Sequence, residues 1–119
     1  MSERIASFED AVAFALTLPD TILSTSYGKP AVKVASNNRA FLYTGHEQAT
    51  SFGVGIDLDT VEILKETDPD TFFQTPHYEG WPAVLIRFDS DDPERVRAMI
   101  ERSRDWTAAK PPPKSRKRK

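Results

Sequence analysis

Hydrophobic and polar positions follow two periods along this chain, and the points where one gives way to the other mark out its elements. Phe8, Val12, Ala15 and Leu16 recur at helical spacing. Ser7 precedes them as a cap, with Asp10 three residues on approximating a capping box. Pro19-Asp20 stops this helix. Thr25-Ser26-Tyr27-Gly28-Lys29-Pro30 reads as an ordered turn. Val32 and Val34 then alternate with Lys33, the pattern of a half-buried strand. Ser36-Asn37-Asn38 marks a hairpin turn, and Arg39–Thr44 returns as a second strand. Gly45-His46-Glu47-Gln48 turns again.

In the third strand Phe52, Val54 and Ile56 alternate with Ser51, Gly53 and Gly55. Side chains on a strand point to opposite faces in turn, so this one is apolar on one face and nearly bare on the other. Asp59 with Glu62 is a second capping signal, opening a helix that uses Val61, Leu64 and Ile63. Pro69 disfavours helical backbone in the residue before it, which ends that helix near Asp68. Phe72–Thr75 and Ala83–Phe88 are expected as the last strands, the first weakly marked. Asp92-Pro93 supplies the N-cap and first position of a final helix, in which Val96, Met99, Ile100, Ser103 and Trp106 share one face. The expected order is helix, three strands, helix, two strands, helix. No long crossover separates the first three strands, so they pair antiparallel. The fold class is therefore α+β: two layers, αβββαββα, with one antiparallel sheet.

Length adds that 119 residues suit one domain with its own core. We expect that domain over residues 1–109 and a disordered basic tail over 110–119, where three consecutive prolines sit among charges. The absence of cysteine excludes disulfides and thiolate metal sites and fits a reducing cytoplasm. Acidic Glu9 and Asp10 near the start do not suit the apolar core of a signal peptide, and no apolar run reaches the roughly 18 residues of a membrane span. Charge is divided unevenly. All 18 acidic residues lie in 1–109 with 10 basic ones, a balance of −8, while 110–119 holds six basic residues and no acid.

Two local patterns carry a resemblance. One is Ser26-Tyr27-Gly28-x-Pro30 before a lysine-containing strand. The other is Asp68-Pro69-x-x-Phe72-Phe73-x-Thr75-Pro76-His77-Tyr78-x-Gly80-x-Pro82-x-Val84-Leu85. Together they resemble the MmcQ/YjbR family over about residues 5–109. The resemblance implies an αβββαββα fold similar to that of secretion chaperones and of a double-wing DNA-binding domain. Members of the family are commonly labelled predicted DNA-binding proteins. The resemblance supplies no catalytic residue.

Read by themselves, the residues suggest binding rather than catalysis. His46 and His77 are the two histidines, they sit in different loops, and without cysteine they do not assemble a zinc set; no metal and no cofactor is expected. Ser26 or Ser51 with His77 and an aspartate does not constitute a triad without shown geometry. Gly53 and Gly55 lie inside a strand pattern and form no phosphate loop. The protein is expected not to be an enzyme.

Tyr27, Tyr78 and Trp81, with His77, form the candidate partner or ligand surface, since aromatics with polar tips suit partner surfaces and base stacking. The opposing reading, favoured by the bare face of the third strand, is that these aromatics pack over Gly53 and Gly55. Arginines of the last helix are expected to pair with Glu94, Glu101 and Asp105 one turn away. The tail is the strongest electrostatic signal, because clustered cations attract polyanions by counterion release. Lys114, Arg116, Lys117, Arg118 and Lys119, assisted by Lys29 and Lys33, are the candidate phosphate contacts. The expected partner is DNA or another polyanion; the alternative is a protein segment held at the sheet and the 76–82 loop.

Overall fold

A computed structural model describes residues 4–26, 28–45 and 50–111. Tyr27, His46, Lys114, Arg116, Lys117, Arg118 and Lys119 therefore lie outside the described residues, as does most of the tail. The elements are α1 (Phe8–Ala15), β1 (Thr21–Ser26), β2 (Lys29–Val34), β3 (Arg39–Thr44), β4 (Ser51–Gly55), α2 (Leu58–Thr67), β5 (Phe72–Phe73), β6 (Ala83–Arg87) and α3 (Pro93–Ala108). The six strands form one antiparallel sheet in the order β1-β2-β3-β4-β6-β5. The α+β class and the two-layer plan are as the sequence predicts.

The sheet has one strand more than expected. Thr21–Ser26 pairs along its whole length with β2, with Ser26 opposite Lys29. Gly28, next to that pair, takes φ +79°, a left-handed backbone that glycine adopts without strain. This strand escapes the periodicity test because Ile22 and Leu23 are adjacent, and at the sheet edge both stay exposed. Three smaller differences are local. The N-cap of α2 is Asp57, whose carboxylate accepts from the Thr60 amide and hydroxyl, rather than Asp59. The first of the last two strands closes at Phe73. Arg104 pairs with the adjacent Asp105 at 2.6 Å rather than with a residue one turn away.

The helices cover one face of the sheet. Val32, Leu42, Val54 and Val84 sit opposite one another in a single cross-strand row, and all are buried. Phe52, Ile56, Ile86 and Phe72 extend this face, on which Ala11 and Ala15 of α1, Val61 and Leu64 of α2, and Val96 and Ile100 of α3 complete one core. The buried residues expected from periodicity, namely Phe52, Val54, Ile56, Val84, Ile86, Val96 and Ile100, are all at most 2% exposed. Ser103 ties α3 to the sheet by donating to the carbonyls of Phe41 and Gly55. No helix among the described residues is long and apolar enough to cross a membrane.

A basic and aromatic candidate binding hollow

The opposite face of the sheet is built from the other half of the alternation. Ala31, Tyr43, Gly53, Leu85 and Phe73 form its cross-strand row. A Cβ placed on Gly53 would lie 2.6 Å from the Tyr43 ring, and one on Gly55 would lie 3.6 Å from the Trp106 ring. The bare face of β4 is thus covered by Tyr43, from the neighbouring strand, and by Trp106, from the last turns of α3. This corrects the expectation that Tyr78 and Trp81 pack over the two glycines. Trp81 instead stands 64% exposed, and Trp106 belongs to this face and not to the buried stripe of α3, which Thr107 completes.

Beside these rings lies a hollow of about 660 Å3. Tyr43, Gly55, Tyr78, Trp81 and Pro82 line it together with Lys33, Arg39, Trp106 and Lys110. A second hollow of about 680 Å3 adjoins it, sharing Lys29, Thr44 and Tyr78 and adding Thr75, Pro76 and His77. The structure therefore brings Lys29, Lys33, His77, Tyr78 and Trp81 to one concave surface. Sequence reasoning missed Tyr43, Trp106 and Arg39, and had Lys110 only as part of the basic tail. The pairing of Tyr43 with Gly53 was the available signal, but it requires the register between β3 and β4.

The segments that line the hollow are held by hydrogen bonds made through side chains. Lys65 Nζ donates to Gln74 Oε1 at 2.9 Å, which turns the Gln74 amide nitrogen toward the 76–82 loop. That nitrogen donates to the carbonyls of Tyr78, Trp81 and Ala83 at 2.7–3.1 Å, its two hydrogens shared among three acceptors. Gly80 takes φ +82° in the same loop, a backbone that side-chain-bearing residues rarely adopt. Near the end of α3, Asn37 donates to the carbonyls of Thr107 and Lys110, and Arg39 Nε donates to that of Pro111. Lys110 Nζ lies 3.9 Å from the centre of the Trp106 ring, a cation–π contact.

The electrostatics of the hollow oppose those of the body. Lys29, Lys33, Arg39 and Lys110 line it, and no Asp or Glu does. None of these four cations is in an ion pair with a described residue. Burial, with the neighbouring Tyr78 adding to it, pushes the Tyr43 hydroxyl well above the usual phenol range, so it stays neutral. Among the described residues no three His, Asp or Glu side chains gather as a metal-binding group.

Comparison with known proteins places the chain. The YjbR family model matches residues 16–106, more than half of the sequence, and the chain belongs to that family. No curated protein and no solved structure shows a significant match to it.

Proposed function

We propose that this member of the YjbR family is a cytoplasmic, non-enzymatic accessory protein that binds nucleic acid weakly and without sequence preference. The observation that carries the reading is the charge of the hollow: three cations from the body, whose residues 1–109 balance to −8, converge with Lys110 on one concave surface that no carboxylate lines. Phosphates are the natural counter-charge, because each one contacted releases condensed counterions. Lys110 lines the hollow and the carbonyl of Pro111 accepts from Arg39 beside it, and the sequence runs on from there into Lys114, Arg116, Lys117, Arg118 and Lys119. We assign most phosphate contacts to this tail and the remainder to Lys29, Lys33 and Arg39. A cytoplasmic location rests on the cysteine-free composition.

Anisotropy titrations of a labelled duplex at several salt concentrations test this. Six contacts from the tail imply a log–log slope of about −5, at ~0.9 per neutralised phosphate. Removal of residues 110–119 should abolish most of the binding, and the double change Lys29→Gln with Lys33→Gln should weaken it further. Undiminished affinity of the truncated protein would refute the assignment to the tail. A second reading, a protein segment held in the same hollow, is favoured by the exposure of Trp81. It predicts binding that salt barely alters.

A further inference from the structure

We infer that the hollow receives an unpaired nucleobase, so that the ligand is single-stranded nucleic acid rather than duplex. This rests on the nucleic-acid reading and names the form of ligand the site selects. Duplex sequence and shape are read by elements that enter its grooves, of which the major groove is about 12 Å wide. The hollow is the inverse of such an element. Trp81 stands exposed among its lining residues, where an unpaired base can stack on the indole, whereas the faces of paired bases are already covered by their neighbours.

The volume, about 660 Å3, leaves room for a nucleobase with its sugar. Trp81 is the exposed platform. Its loop is already locked by Gln74 onto the Tyr78, Trp81 and Ala83 carbonyls, so stacking a base there requires little reordering. Lys29, Lys33 and Arg39 line the same surface, at hand for the phosphates that flank the base. Exposed aromatics beside a cationic track are the arrangement by which single strands are bound without sequence preference.

The test uses the full chain and three labelled probes: an oligothymidylate and an oligouridylate of about twelve nucleotides, within the usual span of such sites, and a duplex of equal length. At one salt concentration, at least one single strand should bind about tenfold more tightly than the duplex, the size expected for one stacked base. The two single strands show whether the sugar matters. Trp81→Ala should lower single-strand affinity about tenfold and so remove this preference, and Trp81→Phe should keep most of it. Equal or tighter binding of the duplex, or an unchanged preference in Trp81→Ala, would overturn the inference and leave the broader nucleic-acid reading standing. Failure of all three probes to bind would overturn both.

Discussion

β4 has two faces, and they are held by different means. Toward the helices, Phe52 and Val54 are fully buried and belong to one continuous apolar core. Toward the hollow the same strand presents Gly53 and Gly55, roofed by rings from β3 and α3. The first face is stabilised by its own side chains. The second is a surface on which other elements lay aromatic rings and cations, and stability there depends little on the groups that would meet a ligand. Changes on the two faces should therefore separate folding from binding.

The largest effect is expected on the core face. Phe52 is fully buried and its ring stacks on Phe88 at 5.7 Å. Phe52→Ala should cost about 3–5 kcal/mol, the range for emptying such a site. Denaturant unfolding checks this, and a loss below about 1 kcal/mol would mean that the core face is not as tightly packed as described.

The glycines give a sharper contrast. A Cβ at Gly53 collides with the Tyr43 ring at 2.6 Å and 2.9 Å, whereas at Gly55 its nearest neighbour is in ordinary contact at 3.6 Å. Gly53→Ala should cost about 1–2 kcal/mol, overpacking offset in part by the lower backbone entropy of alanine. Gly55→Ala should be neutral or slightly stabilising. Equal effects of the two changes would show that Tyr43 moves aside freely and does not shape the hollow.

Asp57 belongs to the helical layer and should affect stability without affecting binding. Partial burial works against its charge. The hydrogen bonds from the Thr60 hydroxyl and amide, with the field of Arg102, outweigh that and hold its carboxyl below the ordinary 3.8. A carboxyl lowered by folding contributes fully above its unfolded value and loses that contribution as the pH falls through the folded one. Asp57→Ala should cost about 1 kcal/mol at neutral pH. Asp57→Asn should retain most of the cap and flatten the pH dependence of unfolding below about pH 4, where the unfolded carboxyl titrates. A steeper acid transition in Asp57→Asn would contradict the assignment.

The smallest stability effect is expected at Trp81. At 64% exposure, Trp81→Ala should shift the unfolding free energy by no more than about 0.5 kcal/mol. A loss of several kcal/mol would mean that the indole packs into the protein and is not free to meet a base.

The same contrast explains what the sequence could reveal. A core face leaves a periodic record, so Phe52, Val54 and Ile56 predicted their own burial, and Asp92-Pro93 announced α3 directly. The edge strand β1 left no such record, because Ile22 and Leu23 fall on opposite faces and neither is buried. The loop residues Tyr78 and Trp81 and the bases Lys29 and Lys33 were legible as candidates from their chemistry. Their convergence was not, since it depends on the β3–β4 register and on where α3 ends. Trp106 shows the limit most clearly: helical spacing aligned it with the core stripe, yet it lies beside Gly55 on the other face of the sheet.

Whether the outer face of the sheet is the binding surface is decided by following the amide and indole N–H resonances of the labelled protein while a short oligothymidylate is added. The chain has two tryptophans, and both line the hollow. The account predicts that both indole signals shift together with the amides of Lys29, Lys33, Tyr43 and Tyr78, while those of α1 and α2 stay in place. Shifts confined to the helical layer, or two unmoved indole signals under saturating oligonucleotide, would contradict it.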